Sequence, residues 1–99
     1  MSDLTKEKLA QDAITAKLGQ LDGWEQDGDA IKRSYEFEDF LSAIAFINRI
    51  APHAEALDHH PELFNVYNRV DITLTTHDAN GLTDYDFALA AHLDAEVEG

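Results

Sequence analysis

Hydrophobic and polar positions switch between two periods along this chain, and each switch marks an element. Over 6–18, Leu9, Ala10, Ala13, Ile14 and Leu18 recur at three- and four-residue spacing, which predicts a helix capped by Thr5 and stopped at Gly19. Leu21 to Gln26, with Trp24 inside it, reads as a short strand. Asp27-Gly28 signals a hairpin, and Ala30 to Phe37 returns as a strand in which Ile31, Tyr35 and Phe37 share a face that Arg33 interrupts. The longest amphipathic stripe follows over about 40–58: Phe40, Ala43, Ile44, Ile47, Ala51, Ala54 and Leu57, with Asp39 as its cap. Pro52 inside it removes one hydrogen bond and predicts a local bend.

Leu63 to Tyr67 and Val70 to Thr76 then form a predicted hairpin across Asn68-Arg69. In its second strand Val70, Ile72 and Leu74 face one way and Asp71, Thr73 and Thr75 the other. A single apolar face is the mark of an antiparallel sheet covered on one side only. Asn80-Gly81 makes a turn, and Thr83-Asp84-Tyr85-Asp86 resembles a capping box opening a last helix over about 84–97. Its apolar residues are Tyr85, Phe87, Ala88, Leu89, Ala91 and Leu93. The predicted fold is α+β: a four-stranded antiparallel sheet with three helices on one face, in the order helix-strand-strand-helix-strand-strand-helix.

Composition changes this picture little. Ninety-nine residues, 44% of them apolar, predict one domain over 1–99 with a modest core. No cysteine is present, so disulfides, thiolate nucleophiles and cysteine metal ligands are excluded. Twenty acidic residues against seven basic ones give a formal charge of −13, which repels nucleic-acid phosphates and anionic membranes. The opening Met1-Ser2-Asp3-Leu4 lacks a basic, apolar leader pattern and no apolar run reaches membrane-spanning length, so a cytoplasmic protein is expected.

Candidate chemistry gathers between Glu55 and His77. Pro61 disfavours helical angles at His60, so the long helix must stop near His59. Glu55 and His59 are four residues apart, which on a helix places the carboxylate where it can hold the imidazole. His60 and His77 stand at element ends as well, where sites tend to be assembled. Each residue also has a plain structural explanation. Adjacent histidines can cap a helix C-terminus, His77 can be a surface residue, Asp86 can complete the capping box, and Trp24 can be core. Three histidines and a glutamate could bind zinc or iron, but adjacent histidines diverge and no His-x-x-x-His or His-Glu-x-x-His spacing occurs. Acid–base chemistry by histidines, with no cofactor and no metal, ranks first.

The spacing Glu55-x3-His59-His60-Pro61-x5-Tyr67-x9-His77-x8-Asp86 resembles the signature of the pterin-4a-carbinolamine dehydratases. Gly23-Trp24, Phe37-x2-Phe40-x5-Phe46, Phe64-Asn-Val-Tyr-Asn68, Thr76-His77-Asp78 and Gly81-Leu82-Thr83 extend the similarity from Leu4 to about Leu93. Departures are Leu63, where members often carry an aromatic, and Pro52. The resemblance implies a hydro-lyase that removes water from 4a-hydroxytetrahydrobiopterin, or a related pterin, to give the quinonoid dihydropterin. Such an enzyme recycles the pterin of aromatic amino-acid hydroxylases, which are its implied functional partners. His59 (oriented by Glu55) and His77 are the implied acid–base pair, and His60 contacts the pterin. The resemblance further implies that Trp24 walls the pocket and that the backbones of His59 to Pro61 and of Thr76, His77, Asp78 and Ala79 hold the pterin edge. Asp86 and Tyr67 are expected from the same resemblance to give structural support. The resemblance also implies a homodimer or homotetramer, and it carries a non-catalytic alternative, a dimerisation or assembly partner for another protein.

Overall fold

The structure, a computed structural model, describes residues 4–98; Met1-Ser2-Asp3, part of the leader reading, and Gly99 lie outside the described residues. Its elements are α1 (Gln11–Leu18), β1 (Glu25–Asp27), β2 (Ala30–Glu36), α2 (Phe40–Leu57), β3 (Glu62–Val66), β4 (Arg69–Leu74) and α3 (Asp84–Glu98). A single 3₁₀ turn over His77–Ala79, absent from the sequence reading, separates β4 from α3. The sheet order is β1-β2-β4-β3, and every pairing is antiparallel. The expected fold class is the observed one.

Alternation decides which sheet face is covered. Ile31 and Tyr35 of β2, with Val70, Ile72 and Leu74 of β4, are buried against Ala43, Phe46, Ile50 and Ala54 of α2. The buried stripe of α2 therefore runs through Phe46 and Ile50, whereas Phe40 and Ala51 of the expected stripe stay exposed. The helix continues through Pro52. From α3, Phe87, Leu89, Ala90 and Leu93 close the core. Ala90 takes the inward place that the sequence reading gave to Ala91, which is exposed.

Three local expectations give way to tertiary contacts or turn geometry. Thr5 does not cap α1: the Thr5 amide donates to Asp84 Oδ2 (3.2 Å) and the Leu9 amide to the Leu82 carbonyl (2.8 Å). These bonds lay 5–9 along the entry to α3, and the helix starts only at Gln11. Trp24 precedes β1 rather than lying in it. The β3–β4 turn is Tyr67-Asn68, one residue earlier than expected, with Tyr67 at φ 51°. The Gly28-Asp29 loop of the first hairpin puts glycine at φ 61°, as a two-residue hairpin of this hand requires.

Arg33, the misfit on the apolar face of β2, is paired there. Its Nη1 donates to Asp94 Oδ1 (2.7 Å) and to the Asp22 carbonyl (2.8 Å), and its guanidinium stacks 4.5 Å from the Tyr35 ring centre. The Tyr35 hydroxyl (2.6 Å) and the Trp24 indole N–H (3.1 Å) donate to the same carboxylate. Burial first, and then the Asp94 carboxylate, pushes the Tyr35 hydroxyl far above its ordinary range. Gly23, at φ 86°, makes room: a Cβ there would meet Arg33 Nε at 2.9 Å. Asp94→Ala strands the buried Tyr35 and Trp24 donors and the partly buried Arg33 guanidinium, and is expected to cost about 3 kcal/mol of stability. Denaturant unfolding checks this; a loss below about 1 kcal/mol would show the cluster to be dispensable.

Asp39 caps α2 as expected, accepting from the Ser42 amide at 2.8 Å. That bond holds the Asp39 carboxyl below its ordinary value of 3.8. A carboxyl lowered in the folded chain stabilises it above pH 3.8 and loses this as pH falls through the folded value. Asp39→Ala is therefore expected to lower Tm at neutral pH, with the gap to wild type closing below pH 3.8. Thermal melts across pH check it, and a gap constant down to acid contradicts it.

Candidate active site

Helix α2 ends in a turn that determines where both adjacent histidines go. Asp58 adopts the left-handed conformation (φ 51°), its amide donating to the Glu55 carbonyl (3.1 Å) and the His59 amide to the Ala54 carbonyl (3.0 Å). This is the paired bonding of a Schellman motif, which satisfies the last carbonyls and reverses the chain. His59 is thereby removed from the helical repeat and turned inward, to 8% exposure. The expected Glu55–His59 pairing does not form for this reason. Glu55 instead lies 2.9 Å from His60 Nε2, with both side chains largely exposed.

The partner of His59 is Asp86, at 2.6 Å between Nε2 and Oδ1. Asp86 is fully buried in the first turn of α3, and its Oδ2 accepts from the Thr76 hydroxyl (2.9 Å) and the Thr83 amide (2.9 Å). The Tyr85 amide donates to Thr83 Oγ1 (3.2 Å), so the capping box of the sequence is present. The two threonine hydroxyls are 2.8 Å apart. A carboxylate saturated in this way forms a fixed socket rather than a mobile charge. Because it accepts, the neutral imidazole carries its hydrogen on Nε2 and keeps a lone pair on Nδ1. Among the described residues no buried side-chain nitrogen or oxygen lacks a partner, and Nδ1, for which no partner is found among them, therefore keeps some access to solvent. Asp86 was expected to be structural support; its contact with His59 is what the sequence reading missed.

Thr76 fixes the other wall. Its amide donates to the Gly81 carbonyl (3.0 Å) and its carbonyl accepts from Gly81 (3.3 Å), closing the 77–80 segment over β4. His77 opens that segment, highly exposed, with Nε2 3.7 Å from Glu62 Oε2. His59, His60 and His77 line one shallow cleft of about 260 Å³ with Thr76 and Asp78. Asp58, Thr75 and Lys6, none of them singled out from sequence, complete its wall. Lys6 arrives through the docked 5–9 segment, its Nζ 5.4 Å from the Tyr85 ring centre, and that ring lies 5.9 Å from His59.

Several expected members stand elsewhere. Trp24 is 7% exposed, edge-on to Tyr35 and bonded to Asp94, in the core rather than in the cleft wall. Glu55, Pro61 and Ala79 border the segments that form the cleft without lining it. Tyr67 sits at the opposite end of β3 from Pro61, roughly 15–20 Å of strand away, and supports no part of the cleft. Among the described residues no group of three or more His, Asp or Glu is arranged to hold a metal ion, and no helix is long and apolar enough to cross a membrane.

The arrangement thus offers one imidazole with fixed orientation and tautomer beside two exposed ones, a set suited to giving and taking protons. A family model described as pterin 4 alpha carbinolamine dehydratase matches residues 7–96. A relative from Sinorhizobium medicae, provisionally named a pterin-4-alpha-carbinolamine dehydratase, is 50% identical over 95 residues, covering 94% of this chain and 90% of its own. One from Mesorhizobium japonicum, with the same provisional name, is 54% identical over 89 residues, covering 88% and 91%. A crystal structure of a transcriptional coactivator/pterin dehydratase from Brucella melitensis shares 44% identity at a TM-score of 0.89, covering 91% of this chain and 98% of that one. A pterin dehydratase-like RuBisCO assembly factor of the alpha-carboxysome shares the fold at a TM-score of 0.62 and 23% identity, covering 74% and 84%. By sequence and by fold, this chain belongs to the pterin-4a-carbinolamine dehydratase family.

Proposed function

We propose that this protein dehydrates 4a-hydroxytetrahydrobiopterin, or a close 4a-hydroxytetrahydropterin, to the quinonoid dihydropterin without a metal or cofactor. The observation that carries this reading is the buried Asp86–His59 pair, beside His60 and His77 in one cleft. In the reaction N5 loses its proton, the freed electron pair closes the C4a–N5 double bond, and the 4a-hydroxyl leaves with a proton as water. One imidazole must take a proton and another must supply one. His59 exchanges its proton through Nδ1, because Asp86 holds Nε2. His77 is its counterpart, and His60, paired with Glu55, contacts the pterin and shares in the transfer. The two roles can interchange between coupled imidazoles. The Thr76 and Asp78 walls hold the flat ring edge. An aromatic amino-acid hydroxylase would generate the substrate and reuse the product after reduction.

A hydroxylase-coupled assay tests the reading. Ultraviolet decay of the 4a-hydroxypterin is expected to exceed the spontaneous rate and to be unchanged by EDTA. Loss of the acceleration in EDTA would show that a metal is required.

An apolar edge supports the oligomeric reading. Leu63, Phe64 and Val66 of β3 are about half exposed on the outermost strand, Phe64 at 57%. An open edge of this kind is normally covered, and a second copy supplying its own β3 is the partner we propose. Phe64→Glu is expected to shift the protein to monomer in light scattering; an unchanged mass would place the interface elsewhere. The same edge is what favours a binding role like the coactivator description of the Brucella relative. A macromolecular complex that survives loss of His59, His60 and His77 would support that alternative.

A further inference from the structure

The buried network behind His59 has a direction. An ionised carboxylate only accepts, so the 2.9 Å contact from Thr76 Oγ1 to Asp86 Oδ2 uses the single hydroxyl proton of Thr76. The 2.8 Å contact between the two threonine hydroxyls is then a bond only with Thr83 as its donor. Thr83 Oγ1 in turn accepts from the Tyr85 amide at 3.2 Å, an N–H of the first turn of α3 that the helix itself leaves unpaired. Every hydrogen therefore points one way, from Tyr85 to Thr83, to Thr76 and on to Asp86, whose other oxygen holds His59. His59, Thr76, Thr83 and Asp86 are all buried, so these bonds polarise one another with little screening by water. The direction also empties the cleft wall of hydroxyl protons. Thr76 spends its own on Asp86, and Thr75 donates to the Asp29 carbonyl at 2.6 Å.

We propose that this one-way relay tempers Asp86, and that the Thr83 hydroxyl is a positioning group for His59, acting through Thr76 and Asp86. Its effect on turnover rests on the dehydratase reading; its effect on the ring does not. A hydroxyl that accepts a hydrogen bond donates a stronger one, so Thr83 makes Thr76 the better donor to Oδ2. Charge drawn to Oδ2 is withdrawn from Oδ1, the oxygen that accepts from His59 Nε2. Without the Thr83 hydroxyl, Oδ1 pulls harder on the ring hydrogen and favours the charged ring over the neutral one. His59 then gives up a proton less readily, which slows a reaction that needs it both to take and to release one. Thr83 lies outside the cleft lining, so it acts on proton exchange and not on holding a ligand.

The test pairs a spectroscopic reading of the ring with turnover. Ring nitrogen chemical shifts of His59, read through its carbon-bound protons, are compared in ligand-free wild type, Thr83→Val, Thr76→Val and Thr83→Ser. Valine matches the shape of threonine, and in Thr83→Val the carboxylate keeps every direct partner: the Thr76 hydroxyl, the amide of residue 83 and His59. A merely structural Thr83 hydroxyl therefore leaves the Nε2 signal where it is. The relay predicts that Nε2 moves downfield in Thr83→Val, further in Thr76→Val, and returns to its wild-type position in Thr83→Ser. Thr83→Ala, which cannot crowd the buried site, repeats the comparison. Turnover at neutral pH is expected to fall about two- to fivefold in Thr83→Val with KM unchanged, and to be restored by serine. An unmoved Nε2 signal in the folded Thr83 and Thr76 variants would overturn the relay and leave the dehydratase reading standing. A moved signal in a protein without turnover would uphold the relay and refute the dehydratase reading.

Discussion

Asp86→Asn is expected to lower turnover by about two orders of magnitude or more while the protein remains folded. Asparagine can keep one oxygen for the Thr76 hydroxyl and the Thr83 amide, the two donors that reach Asp86 Oδ2. Its amide N–H₂ then faces His59 Nε2 where a carboxylate oxygen stood at 2.6 Å. A donor there forces the neutral ring to carry its hydrogen on Nδ1, and the lone pair leaves the cleft. Asp86→Ala differs in kind. It strands the His59 ring, the Thr76 hydroxyl and the Thr83 cap together, so it is expected to cost about 2–4 kcal/mol of stability as well as activity. Calorimetry and turnover measured on both variants separate positioning from folding. Near-normal turnover in a folded Asp86→Asn protein would mean that the carboxylate serves only the α3 cap.

His59→Ala is expected to reduce turnover by at least as much, about a hundredfold or more, since it removes the proton-exchanging group itself. Its effect on stability has a definite sign. The deletion leaves Asp86 fully buried with Thr76 and Thr83 as its partners, so some stability is lost, though less than in Asp86→Ala. In the double variant with Asp86→Asn the loss of activity should not add, because both changes disable one unit. Additive losses would show that Asp86 acts on the reaction by a route other than His59. His77→Ala provides the comparison: its highly exposed side chain supports no core contact, so activity should fall with Tm unchanged.

The architecture was legible where local chemistry and tertiary structure agree. Asp39 and Leu57 bound α2 as their cap and spacing suggest, and Val70, Ile72 and Leu74 bury as alternation requires. Thr83 and Asp86 close the capping box that their spacing announces. Expectation failed where long-range contacts compete with propensity. Thr5 is a good cap residue, but its amide is held by Asp84, 79 positions away, and α1 begins later. Arg33 looked like a defect in a strand face until Asp94, 61 positions on, neutralised it.

The candidate site divides along the same line. His59, His60 and His77 were found together because a sequence signature places them, and the structure puts all three on one cleft. Their partners were misassigned. Four-residue spacing on a helix favours Glu55 with His59, but the left-handed Asp58 ends the repeat one residue too soon for that rule to apply. The actual partner, Asp86, lies 27 positions downstream, in the first turn of α3, where a capping role already accounts for it. Periodicity cannot report that the start of α3 passes beneath the end of α2. Trp24 shows the converse: an aromatic taken for a pocket wall is a core residue bonded to Asp94.

The central claim is that an Asp86-held His59 drives the dehydration, and single-turnover decay of a freshly generated 4a-hydroxytetrahydropterin tests it most directly. Wild type, His59→Ala and Asp86→Asn would be compared at equal concentration in EDTA against the uncatalysed decay. The account predicts fast decay with wild type and decay close to the spontaneous rate with both variants. Wild-type decay no faster than the spontaneous rate, or undiminished acceleration by both folded variants, would contradict it.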